Sequence, residues 1–371
     1  MPKFLIRITF ISGAIMGFLL GLLLLPSHKK TGKIHLTPES KPVVKPYEPW
    51  FTGQNLQRHV IPIDTLRYSG LDYYTESMYL YNKIRILCVV LVHKIKYAKA
   101  SLMTWTKQCN HIELVHLKPS KIGVKRKKED AAWPLLCKTL VNTSKSFHWV
   151  FVVNDNTFAL VENIRYLVAP LNHSSQYYLG HAIKFWGVKY NVGSAGYLIS
   201  NATLAALKLN QRNSCITDSV IWNLEDYYLG KTLSQLNITV YDTRDELGFG
   251  TFHGFNLQKL FFPGSTTMSN YYKYSVYPTP CCSPKSVTFQ VSNSNSMYTY
   301  EYLLKQLQVF TSGTLGNRAP ATQINKDEVW KSILKQHGYT NTNVSAEEYY
   351  EFWVNLVSDP TSFAQKIKTR N

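Results

Sequence analysis

The sequence predicts an α/β domain built on a mostly parallel sheet with helices on both faces. Two observations carry that expectation. Continuous apolar runs recur at Ile84 to Val92 ("IRILCVVLV"), Ile112 to Leu117 ("IELVHL") and Phe147 to Val153 ("FHWVFVV"). Such runs suit strands buried on both faces. Helical segments lie between them, around Ala98 to Cys109 and in "AAWPLLCKTLVNTS". Strands alternating with helices build parallel sheets.

The elements then follow in order. Beyond the third strand, "ALVENIRYLV" carries apolar residues at helical spacing, and "GSAGYLIS" is a glycine-bearing turn that enters an apolar segment. The tail from about Thr311 to Asn371 is polar, with two short helices expected near Glu328 to Gln336 and Ala346 to Leu356. In open α/β sheets, ligands bind beyond the carboxyl ends of the strands. The third strand stops at Asn154-Asp155-Asn156, so its position makes that triplet a candidate site. An ordinary Asn/Asp turn after a strand would look the same.

The chain has 371 residues and a net charge of +18. Its densest basic run, "KRKKED" (Lys125 to Asp130), reads as a solvated loop. No nucleic-acid motif accompanies the charge, and no nucleic-acid partner is expected. From Ile8 to Leu25 there are eighteen residues without a charge, followed by Pro26. That length fits a membrane span, and no small-x-small cleavage site follows it. An uncleaved signal anchor is expected at 8–25, behind a cytosolic tail at 1–7. A proline-bearing stem at 26–83 follows, then the folded body at 84–312 and an extension at 313–371.

Basic residues on both sides leave the orientation to other signals. Asn142, Asn172, Asn201, Asn237 and Asn343 each begin an Asn-x-Ser/Thr sequon. The six cysteines suit disulfides in an oxidising lumen and show no zinc spacing. The expectation is a single-pass type II protein of the Golgi or endoplasmic reticulum membrane, with a luminal body.

Several blocks together resemble one family. They are "RILCVV", "TWTKQCN", "NDNTFALVENIRYL", "YYLGHAIK", "GSAGYLIS", "EDYYLG", "DTRDELGFGTFHGF", and "CCSPKSVTF" followed by "MYTYEYLLKQL". In this order they resemble the core 1 β1,3-galactosyltransferases and their non-catalytic chaperone relative. The resemblance implies a GT-A-type nucleotide-sugar-binding domain and an inverting reaction. Active members transfer galactose from UDP-galactose to the 3-hydroxyl of O-linked N-acetylgalactosamine on glycoproteins. It also implies Mn2+ at the diphosphate, a carboxylate as general base, and family members as oligomeric partners.

Carried over by position, the resemblance makes Asp226 the base, with Glu225 beside it. Asp155, Asn156 and His253 stand at the metal places. Asn154, Asp155, Arg244 and Asp245 stand beside the donor, and Gly193, Ser194 and Tyr197 at the substrate turn. The enzymes have three consecutive aspartates where this chain has Asn154, Asp155 and Asn156. A unit charge ~4 Å from a cation is worth roughly 4 kcal/mol at an effective dielectric near 20, so the metal site is expected to be weakened. Two readings follow: a divergent galactosyltransferase, or a catalytically silent luminal chaperone or partner of active relatives. A cysteine that the pattern expects is Thr232 here, while Cys137 stands where none is expected. A Cys137–Cys215 bond is one pairing open to the chain.

Overall fold

The computed structural model describes residues 46–54, 56, 60–61, 75–117, 128–143, 147–210, 215, 223–261, 273–278, 281–307 and 309–311, with scattered positions beyond. The expected anchor at 8–25 and the tail helix at Glu328 to Gln336 lie outside the described residues. Among the described residues, no helix is long and apolar enough to cross a membrane.

The elements that position the site are α1 (Tyr47–Thr52), α2 (Glu76–Lys83), β1 (Ile86–Val92), α3 (Ile95–Met103), β2 (His111–His116) and α4 (Ala132–Asn142). They continue as β3 (Trp149–Asn154), β4 (Thr157–Ala159), α5 (Val161–Val168), β5 (Tyr178–Gly180), β6 (Ala182–Phe185), β7 (Val188–Asn191) and β8 (Tyr197–Ser200). Last come α6 (Asn201–Asn210), α7 (Glu225–Gln235), β9 (Thr288–Gln290) and α8 (Asn295–Glu301).

The central sheet has five strands in the order β2-β1-β3-β8-β5. β1 pairs in parallel with β2 and with β3. β8 pairs antiparallel with β3, setting Val152 opposite Tyr197, and antiparallel with β5. The sheet is therefore mixed, which corrects the expected mostly parallel arrangement. The cause lies in the connection: the crossover through α5 leads from β3 to β5, and β8 returns between them through the β6–β7 hairpin and a 3-10 turn at Gly193–Ala195, without a crossover of its own. Parallel pairing of neighbouring strands needs such a crossover.

All seven residues of β1 are buried, and their side chains divide between two cores. Cys88 and Val90 join Trp105, Phe151 and Ile164 on one face, whereas Leu87, Val89 and Leu91 join Trp133, Leu136, Tyr197 and Leu229 on the other. The continuous apolar run thus reflects two covered faces. Within the stretch read as a stem, Tyr47 and Phe51 of α1 and Tyr79 and Leu80 of α2 also pack into the first core.

Arg165 of α5 is buried at 1% exposure. Its guanidinium donates to the carbonyls of Ile84 and Gln108 and to Asn110 Oδ1. Burial pushes its pKa down to about 10, so it stays charged at neutral pH. Disulfides join Cys88 to Cys109, Cys137 to Cys215 and Cys281 to Cys282.

The helix α7 carries the acidic pair and lies directly on β7. A Cβ placed on Gly230 would stand 2.2 Å from Tyr190 Cβ and 3.1 Å from Tyr190 Cα. Those atoms cannot rotate away, so the helix must lift. Gly230→Ala is expected to cost about 1–3 kcal/mol, as overpacking does. A thermal melt checks this, and an unchanged melting temperature would refute the close approach.

Candidate active site beyond the end of β3

β3 ends at Asn154, and the backbone N–H of Asp155 still donates to Leu91 at 3.0 Å. The Asp155 side chain then turns toward the loop after β1. Its Oδ2 accepts from the backbone N–H of His93 at 2.8 Å and of Lys94 at 2.6 Å. Its Oδ1 lies 3.6 Å from His93 Nδ1, and the residue is 1% exposed. Asp155 is therefore a clasp that fixes the turn between β1 and α3. Beside it, Asn154 Oδ1 is buried with no hydrogen-bond partner among the described residues. The carbonyl of Asn156 accepts from Val291 N–H at 2.9 Å.

Glu225 and Asp226 open α7 and are both buried. Asp226 Oδ2 accepts from Gly193 N–H at 2.8 Å, and Oδ1 from its neighbour Tyr227 N–H at 2.7 Å. A Cβ at Gly193 would meet Glu225 Oε1 at 2.5 Å, so only glycine admits the acids this close. Ser194 offers its carbonyl to Thr157 Oγ1 at 3.5 Å. Tyr197 is fully buried, and its hydroxyl has no partner among the described residues.

The electrostatics divide the pair. Burial pushes Glu225 up to about 8, and the neighbouring Asp226 charge adds to the rise. Burial also raises Asp226, but its two backbone N–H donors oppose the shift. Two adjacent buried carboxyls do not both ionise readily. Burial thus favours the protonated form of Glu225, while the Gly193 and Tyr227 N–H groups favour the charged form of Asp226.

His93 belongs to the same site. Its contact with the Asp155 carboxylate raises its pKa against the opposing effect of burial. Sequence reasoning passed over His93. It follows the end of β1, one strand from the triplet, so the strand-end logic that selected Asn154 to Asn156 would have found it.

The remaining expected residues make contacts of their own, and His253 N–H donates to Thr288 Oγ1, which itself donates to the Ala195 carbonyl of the glycine turn. His253 Nε2 sits 3.0 Å from Ser286 Oγ, and its ring stacks on Phe289 at 5.0 Å. Burial pushes its pKa down to about 3, so it is neutral. Arg244 is held by Asp242, with Nη2 at 2.6 Å from Oδ2. Asp245 Oδ1 accepts from the N–H groups of Leu247 and Phe249 and closes a turn.

These placements test the expected Mn2+ shell. No hydrogen bond of Asp155 reaches His253 among the described residues. Only His253, Cys281 and Cys282 there bring three metal-ligating side chains within 4.8 Å, and those two sulfurs are bonded to each other. Around the triplet, the single carboxylate accepts two backbone N–H groups at Oδ2, His93 Nδ1 lies 3.6 Å from its Oδ1, and its flanking groups are neutral amides. Manganese favours several oxygens, carboxylates foremost. The residues at the expected metal places supply one carboxylate, an amide and a neutral imidazole, a donor set poorer in charge than manganese favours.

No family model matches the chain. It is similar to glycoprotein-N-acetylgalactosamine 3-beta-galactosyltransferase 1 of Xenopus laevis, with 23% identity over 256 residues, covering 62% of this chain and 68% of the relative. Among solved structures it matches the crystal structure of a glycosyltransferase involved in the glycosylation of the major capsid of PBCV-1, at 10% identity and a TM-score of 0.32. That match covers 59% of this chain and 99% of the other. The distant sequence homology supports a place among the glycosyltransferases without singling out a member.

Proposed function

We propose that this protein is an inverting glycosyltransferase, moving galactose from UDP-galactose to the 3-hydroxyl of O-linked N-acetylgalactosamine on glycoproteins. The observation that carries the reading is the buried acidic pair, with Asp226 held against the Gly193 turn. The acceptor hydroxyl is a poor nucleophile until its proton has somewhere to go. Asp226 takes that proton as the hydroxyl oxygen bonds to the anomeric carbon, and the bond to UDP breaks. Glu225, keeping its own proton, leaves the charge on Asp226. No step is assigned to a metal.

A membrane-anchored, luminal placement goes with this reading. Asn142, Asn172 and Asn237 of the sequons are exposed, as glycan acceptors must be. The test is galactose transfer by the full chain in detergent, using a GalNAc-bearing glycopeptide and its 3-deoxy counterpart. Product is expected from the first alone. Equal product from both, or none from either, would sink the assignment.

A second reading, a catalytically silent luminal partner of active relatives, is favoured by the engagement of Asp155 as a structural clasp. It predicts no transfer in the same assay, with a rise in the folded yield of an active relative on co-expression.

A further inference from the structure

We infer that the site holds the diphosphate of a nucleotide donor without a divalent metal, with Lys94 supplying the fixed positive charge in its place. The inference rests on the glycosyltransferase reading and deepens it. Three observations converge on the same turn. The two acids that would recruit a cation are Asn154 and Asn156. The remaining acid, Asp155, spends its carboxylate on the N–H groups of His93 and Lys94 and on the His93 ring. Lys94, Lys96 and Lys99 are all exposed along this edge, and none has an ion-pair partner among the described residues.

Asp155 thus acts as a positioning residue. It removes its own negative charge from the opening and fixes the backbone from which Lys94 extends. The Lys94 and Lys96 ammonium groups sit over the Tyr97 ring at 5.9 Å and 5.6 Å, which gathers them on one side of the turn. A diphosphate leaving group needs positive charge close by, and a lysine meets that need as a point charge. A free dication approaching the same place finds a single carboxylate, already bonded through Oδ2 to two backbone N–H groups and flanked by neutral amides, and a concentration of like charge.

The experiment is calorimetric titration of UDP into the full chain, once with chelator and once with Mn2+, alongside the transfer assay. The expected result is the same affinity in both buffers. Lys94→Ala should weaken binding about tenfold in each, one lost charge-assisted contact at about 1.4 kcal/mol per tenfold, and Lys94→Arg should restore it. Because Lys94 is exposed, the variants should melt with the parent. UDP binding that appears only with Mn2+ would overturn the metal-free site while leaving transferase activity standing. An unchanged affinity in Lys94→Ala would overturn the role of that residue. Absence of both binding and transfer would overturn this inference together with the reading beneath it.

Discussion

Asp226→Asn will reduce galactose transfer by about 10²–10⁴-fold, the usual contribution of a positioned general base. The amide keeps one oxygen to accept from Gly193 or Tyr227 and fills the same space, so the fold should survive. What is lost is the carboxylate that would accept the proton. The parent should also show an acid limb in its rate profile. Burial raises Asp226, so that limb should lie above the ordinary carboxylate range. Rates over a pH series for both proteins check this. A variant that retains full activity would remove Asp226 from the chemistry.

Glu225→Gln carries the largest expected effect on stability. The folded pKa of about 8 stands above the ordinary 4.5. Between those values the folded chain binds a proton that the unfolded chain has released. Stability therefore falls as pH rises from about 4.5 to about 8, and levels off above that. The parent should lose on the order of 2–5 kcal/mol across this window through Glu225. Glutamine has no proton to lose, so its stability curve should be flatter, with a melting temperature several degrees above the parent at pH 8. Parallel melts at pH 5 and pH 8 decide it, and superimposable slopes would refute the buried protonated acid.

Much of the fold was legible because it rests on periodicity. The runs at Ile86–Val92 and Trp149–Asn154 read as buried strands because both faces of each are covered. The reversed strand Tyr197–Ser200 was not legible as such, since direction depends on how the chain returns to the sheet. The site divides in the same way. The approach of Gly193 to Glu225 and Asp226 joins two sequence blocks that were each recognised, and their chemistry follows from burial. The Ser286 and Phe289 contacts of His253 were invisible, because sequence order shows which residues exist and not which ones meet. The conversion of Asp155 from ligand to clasp depends on two backbone N–H groups, which leave no mark in any side-chain pattern.

The bond from Cys88 to Cys109 bears on the turn between β1 and α3. It spans a sequence separation of 21, and the enclosed segment carries His93, Lys94 and all of α3. Both ends of that segment are tethered to the sheet, one by the strand itself and the other by sulfur. A covalent loop of this size restrains the unfolded chain by roughly 3 kcal/mol in the chain-entropy model. The lysine edge is thus part of a closed ring and not a free lip. A chain matured without oxidation would keep every charge of that turn but lose the frame that holds those charges in register.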